Sequence, residues 1–403
     1  MSPTPDKALL PAGLQDLLPP QAAYEADTAG RLIAVFRAHG FEQVKPPLIE
    51  FESALLSGAG AALSQQTFRL MDPVSQHMLA LRADMTTQVA RIAASRLSRA
   101  PRPLRLCYGG QVLRVKGTQL RPERQFAQVG AELIGSDVET ADVEAVAMAV
   151  EALEAVGVPR LSVDLNLPPL VGALAEELGI DDATNAGLRQ ALDRKDAAAV
   201  DTLAGSRAEL FRGLLRAAGP ADVALERLAA LHLPPRIAEQ TARLSRVVEL
   251  LQTALPQLAL TVDPVEHRGF EYQTGISFTL YARGVRGELG RGGRYETDES
   301  NGRCEAATGF TLFMDSVMRA LPPPPPAARV FVPLGTDAQR VRALRAEGWV
   351  TISELSASAD AEAEARRQHC GYLLQNDHVV RLEPDSDQSN NGESTPTTTD
   401  DGA

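Results

Sequence analysis

The spacing of apolar and polar positions changes several times along the chain, and each change marks an element. In residues 19–39, PPQAAYEADTAGRLIAVFRAH, Leu32, Val35 and Phe36 make a stripe at helical spacing. The prolines suit the start of that helix and Gly40 its stop. FEQVKPPLIEF then reads as extended. Pro46 and Pro47 lack the N–H a ladder needs and confine the segment to an edge or a bend. QHMLALR (76–82) predicts a strand, and DMTTQVARIAASRLSR predicts the helix after it. Two further runs, 104–114 and 123–134, read as strands joined hairpin-fashion over KGTQLRPE. Ser136 and Glu139 have capping-box spacing ahead of a helix that carries Val143, Val146, Val150 and Leu153 and ends at Gly157. Leu161, Val163 and Leu165 alternate with Ser162, Asp164 and Asn166, the pattern of a half-buried strand.

Residues 167–256 change character: they are rich in Ala, Leu, Arg and Glu at helical spacing and read as an all-helical insertion. Strands resume at LALTVD and at YQTGISFTLYAR, where Ile276, Phe278 and Leu280 alternate with polar residues. A helix is expected over 309–321, followed by the proline-rich linker 322–327, stiff as polyproline II. Beyond it, RVFVPLG, TDAQRVRALRAEG, WVTISEL, DAEAEARRQHC and YLLQNDHVVRLE spell β-α-β-α-β, a small α/β module over 328–383. The pattern predicts an α+β chain. A largely antiparallel sheet flanked by helices is built from 1–166 and 257–321 and interrupted by the insertion.

Composition narrows the setting. The 403 residues are too many for one ordinary core, and 44% of them are apolar. Part of the net charge of −12 sits in residues 384–403, which hold no apolar side chain larger than alanine and read as a disordered acidic tail. The acidic balance gives no support to a nucleic-acid partner. Cys107, Cys304 and Cys370 are far apart and form neither a disulfide framework nor a metal motif, which points to a reducing cytoplasm. Residues 1–20 do not read as a signal peptide, and no apolar run approaches the ~20 residues that span a bilayer. No cofactor or metal motif stands out.

Three polar sets carry candidate chemistry. The first is LRADMT (81–86), at a strand-to-helix turn. The second runs from Arg114 to Glu132. The third joins HRGFEYQTG (267–275) to ELGRGGRY (288–295). Singly, each has a plain reading as a helix cap, a solvated loop and a tight turn. Together they say more. Arg114, Gln128 and Glu132 share one parity, so regular strands would face them the same way. Charges on a covered sheet face need a partner or a ligand. Arginines for a carboxylate, an aspartate for an ammonium and a glutamate with amides for a ring nitrogen suit a polar amino acid.

These stretches resemble the catalytic core of class II histidyl-tRNA synthetases over roughly residues 8–321. GFEQVKPPLIE is similar to motif 1, the dimer interface in that family. RLCYGGQVLRVKGTQLRPERQFAQVGAELIG is similar to the motif 2 hairpin. HRGFEYQTG and GRGGRY are similar to its two histidine-recognition peptides. The resemblance implies that Asp84 and Thr86 hold the α-amino group of histidine. It places Arg114 and Arg268 near the carboxylate, with Gln128, Glu132, Tyr272 and Gln273 lining the rest of the pocket.

The departures matter as much. Where motif 2 of the active enzymes has Phe-Arg-x-Glu, this chain has Leu113-Arg114-Val115-Lys116, so lysine replaces the acid that helps place ATP. Motif 3 ends in an arginine for the γ-phosphate; here GFTLFMDSV puts Ser316 there. Tyrosine is usual where Gln273 stands, and the C-terminal module is shorter than the family's anticodon-binding domain. A histidine pocket beside a broken nucleotide site resembles the regulatory subunits of short-form ATP phosphoribosyltransferase. That resemblance implies a non-catalytic homodimer within a hetero-oligomer, L-histidine as effector, a separate catalytic subunit as partner and no tRNA. A working histidyl-tRNA synthetase, or a paralogue activating an amino acid for another acceptor, is the alternative; both need the arginine that Ser316 replaces.

Overall fold

The central strands of the main sheet are covered on both faces, and their alternation decides where the polar residues go. The computed structural model describes residues 9–119, 121–266, 273–297, 304–324 and 327–383. Two compact units form, Met1–Pro322 and Pro323–Ala403.

The first unit opens with α1 (Gln21–Ala38), closed by Gly40 in the left-handed region (φ +81°). The short strands β1 (Glu42–Gln43) and β2 (Ile49–Phe51) flank the two prolines. After α2 (Glu52–Leu55) come β3 (Arg69–Met71), β4 (Met78–Leu81) and α3 (Thr86–Ser95). Strands β5 (Leu104–Leu113) and β6 (Gln125–Ile134) pair antiparallel along their full length, as the hairpin reading expects. Helix α4 (Glu139–Val156) ends at Gly157 (φ +99°), and β7 (Leu161–Asn166) follows.

The insertion holds α5 (Pro169–Glu177), α6 (Asp182–Asp193), α7 (Ala197–Ala204), α8 (Ala208–Arg216), α9 (Ala221–Ala229) and α10 (Pro235–Ala254). A two-residue strand, β8 (Gly219–Pro220), lies between α8 and α9. The chain returns through β9 (Ala259–Asp263), β10 (Gln273–Ala282), β11 (Gly290–Glu296) and β12 (Ala306–Phe313) to α11 (Met314–Ala320).

Nine strands make the main sheet in the order β1-β5-β6-β12-β11-β10-β7-β9-β8. The β1–β5 and β7–β9 pairs are parallel and the others antiparallel. A separate three-stranded sheet runs β2-β4-β3. On β6, Val129, Ala131 and Leu133 join the larger core with α1, α4 and the insertion helices, where Phe36 meets Phe310 edge-on at 5.3 Å. Phe126 and Ile134 face a smaller core with Met85, Val89, Tyr108 and Phe313. Leu170, Leu188, Phe211 and Leu244 of the insertion share the larger core with Val163 and Phe278, so the inserted helices pack as part of one body.

Several local expectations fail. The helix expected over 309–321 begins only at Met314, because Gly309–Phe313 belongs to β12. That stretch is laddered on one side to β6 and on the other to β11, and ladder pairing overrides an apolar run that fits either element. The capping box does not form: Val138 is the N-cap of α4 and no side chain caps it. The Arg294 guanidinium instead donates to the Ser136 and Val138 carbonyls, so a contact from β11 orders this turn. GRGGRY likewise runs as strand β11 rather than as a tight turn.

The second unit contains β13 (Arg329–Val332), α12 (Ala338–Ala346), β14 (Val350–Ser353), α13 (Ala361–Arg367), β15 (Tyr372–Gln375) and β16 (His378–Arg381), in sheet order β14-β13-β15-β16. YLLQNDHVVRLE thus splits into a hairpin rather than one strand. Asn376 (φ 49°) and Asp377 (φ 64°) form its two-residue turn, with positive φ at both positions as that turn requires. The expected tail, 384–403, lies outside the described residues.

Candidate functional site

Asp84 sits in the turn between β4 and α3, nearly fully buried. Its Oδ1 accepts the Thr86 backbone N–H at 2.9 Å, although the N-cap of α3 is Met85 and no side chain caps it. Its Oδ2 accepts from Gln128 Nε2 at 3.0 Å. Gln128 lies on the site face of β6, and its Oε1 takes the Met85 N–H at 3.3 Å. The amide fixes both the carboxylate and the helix start from the strand behind.

Glu132 is one β-repeat pair further along the same face of β6 and is 1% exposed. Tyr108 on β5 donates its hydroxyl to Glu132 Oε1 at 3.1 Å, and Tyr295 on β11 donates to Oε2 at 3.0 Å. The Tyr108 oxygen also lies 2.7 Å from Thr311 Oγ1 and 3.2 Å from Thr86 Oγ1. Burial raises the Glu132 pKa to about 8; the hydroxyls of Thr86, Tyr295 and Tyr108 oppose that rise and the Asp84 charge adds to it. A carboxyl in this state gives or takes one proton from a bound ring near neutral pH.

Asp84, Thr86, Glu132 and Gln273 line one small cavity with Arg291, Tyr295, Thr311 and Phe313. Gly292, Gly293 and Gly309 form part of its wall. Gly309 is required there: a Cβ on it would sit 1.9 Å from Glu132 Oε2. Gln273 enters at the start of β10, with its Nε2 3.3 Å from the Gly292 carbonyl. Gln128 braces this cavity from behind rather than lining it.

Arg114 stands beside the Asp84 turn. It borders the neighbouring, larger pocket with Lys116, Arg121, Glu123, Glu288, Ser316 and Arg291; among the described residues Arg291 alone lines both. Arg114 Nε donates to the Ala83 carbonyl at 3.2 Å and its guanidinium lies 5.1 Å over Phe126. Burial lowers its pKa to about 10, with Asp84 opposing and Arg121 and Arg291 assisting. Arg268 and Tyr272 lie outside the described residues.

The larger pocket holds a cation of its own. Arg121, from the loop of the β5–β6 hairpin, is almost fully buried. It pairs with Asp315 Oδ2 at 3.0 Å, donates to Ser316 Oγ at 3.2 Å and stacks 3.8 Å over the Phe313 ring. Ser316 is thus closed over by protein. Tyr108 and Thr311 lie outside the three polar sets, whereas Arg121, Arg291 and Tyr295 lie inside them without a role of their own; Arg291 and Tyr295 share a parity within GRGGRY. Among the described residues no group of three His, Cys, Asp or Glu side chains is placed to hold a metal. No helix there is long and apolar enough to cross a membrane.

A family model described as histidyl-tRNA synthetase matches residues 13–317. A relative from Paramagnetospirillum magneticum, named ATP phosphoribosyltransferase regulatory subunit, is 57% identical over 95% of this chain and 100% of its own. One of the same name from Rhodospirillum centenum is 55% identical over 94% of this chain and 98% of its own. Among solved structures, an ATP phosphoribosyltransferase regulatory subunit/histidyl-tRNA synthetase from Bacillus halodurans superposes with a TM-score of 0.78 at 25% identity, covering 90% of this chain and 97% of that one. With the class II synthetase-like sheet and this coverage, the chain belongs to the family of ATP phosphoribosyltransferase regulatory subunits.

Proposed function

We propose that this chain senses free L-histidine in the cavity between Asp84 and Glu132, and that its occupancy controls a separate catalytic ATP phosphoribosyltransferase subunit in histidine biosynthesis. One observation carries the reading: a buried glutamate held by two tyrosine hydroxyls, facing the same cavity as a buried aspartate. Glu132 suits an imidazole N–H and Asp84 an α-ammonium. The names of the relatives support a catalytic partner.

The chain itself carries out no aminoacyl activation in this reading. Lys116 and Ser316 replace the acid and the arginine of the active enzymes, and Arg121 occupies the space beside Ser316 with its own positive charge. No tRNA is required, and the site works in a reducing cytoplasm without cofactor or metal.

Calorimetry with L-histidine and with an apolar amino acid tests the reading. Glu132→Ala should weaken histidine most, because a buried polar group that loses its partner costs ~1–3 kcal/mol. Asp84→Ala should weaken both ligands alike, since it meets the ammonium they share. Equal histidine binding by wild type and Glu132→Ala would place the effector elsewhere. Histidine-dependent exchange of pyrophosphate into ATP, above background, would restore the synthetase reading.

A further inference from the structure

We infer that Arg291 binds the carboxylate of the amino acid and that Glu288 is the internal anion it surrenders on binding. This rests on the histidine reading above and assigns a contact that the sequence motifs gave to other arginines.

Strand alternation puts residues 291, 293 and 295 of β11 on the site face. Tyr295 ends at Glu132, the imidazole end of the cavity. Arg291 stands four residues earlier on the same face, toward the larger pocket. Among the described residues lining the cavity it is the only cation. A ligand with its ring on Glu132 therefore directs its charged end toward a planar guanidinium, which matches a carboxylate in two-point geometry.

That guanidinium is already engaged. It forms a close ion pair with Glu288 and lies 5.6 Å over the Phe313 ring. A ligand carboxylate must therefore compete. The exchange is feasible because Glu288 has a second cation within reach: its Oε1 is 3.8 Å from Arg121 Nη1. One carboxylate replaces another at Arg291, and Glu288 keeps a partner at Arg121. No half-buried charge is left uncompensated, which is the condition that makes breaking such pairs expensive.

The test compares L-histidine with histamine, its decarboxylated analogue, by calorimetry on the full chain, with thermal melts confirming folding. Wild type should prefer L-histidine. Arg291→Gln should shrink that preference by about tenfold or more while leaving histamine affinity nearly unchanged, the size expected for one charge-assisted contact. Glu288→Gln should raise L-histidine affinity and leave histamine alone, because the competing anion is gone. A retained preference in Arg291→Gln, or an equal loss for both ligands, would overturn the assignment. If Glu132→Ala still weakened histidine binding in either case, the histidine reading would survive. Should Arg291→Gln not fold, Glu288→Gln decides: unchanged histidine affinity overturns the competition. Wild type binding neither compound would remove both readings.

Discussion

Glu132 sets the behaviour of the site at the scale of single residues. Its pKa of about 8 lies far above the ~4.3 of an unfolded chain, so the folded protein holds an extra proton between those values. Stability from this group is therefore greatest at the acid end of the window, falls as pH rises toward 8 and levels off above it. Melting temperature should decline from pH 5 to pH 8 in wild type, and Glu132→Gln should flatten that slope; equal slopes would deny the buried, protonated carboxyl. Binding should carry little net proton uptake at pH 7.5, where Glu132 already holds the proton that a neutral imidazole would share. Calorimetry in buffers of different ionisation enthalpy reads this directly, and uptake of a full proton would mean Glu132 starts ionised. The parity of Gln128 and Glu132 was legible because β alternation is a local rule. Their hydroxyl partners were not: Tyr108 and Tyr295 lie 24 and 163 residues from Glu132, and only strand register brings them there.

Elements show the same division. Hairpin β5–β6 can be read from two alternating runs around a polar loop, whereas the sequence of β12 reads as the start of a helix. GFTLF is short and apolar, and what makes it a strand is a partner on each side, Ala131 across one ladder and Gly292 across the other at Phe310. Gly309 shows what that packing demands. Gly309→Ala would drive a methyl against Glu132, so it should destabilise the protein by ~1–3 kcal/mol and weaken histidine binding together. Urea unfolding and histidine titration of that variant check both; a neutral effect would mean that β6 and β12 part easily. Arg121 was invisible for a different reason, since a loop arginine gives no sign of whether it faces water or Asp315.

At the scale of the whole molecule, the β2-β4-β3 sheet exposes Ile49, Phe51, Leu70, Met71 and Met78. An apolar patch of this kind is uncommon on a monomer. Ile49 of this patch belongs to the stretch resembling motif 1, and a second copy of the chain covering it in a two-fold dimer is the expected state. Light scattering at micromolar concentration should give a dimer for wild type and a monomer for Phe51→Asp; a wild-type monomer would contradict this. The insertion was legible as helical from its composition. That it shares the main core was not, because the contacts joining Phe211 and Leu244 to Phe278 are set by tertiary packing.

If histidine acts on a catalytic partner through this cavity, the partner's rate must report it. The direct measurement is the rate of a purified short-form catalytic ATP phosphoribosyltransferase from the same cell, with this chain added and L-histidine titrated, for wild type and Glu132→Ala. Wild type should make the rate histidine-sensitive, and Glu132→Ala should move the response to at least about tenfold higher histidine, the size of one lost buried contact. A catalytic subunit indifferent to the chain, or an identical histidine response with Glu132→Ala, would contradict it.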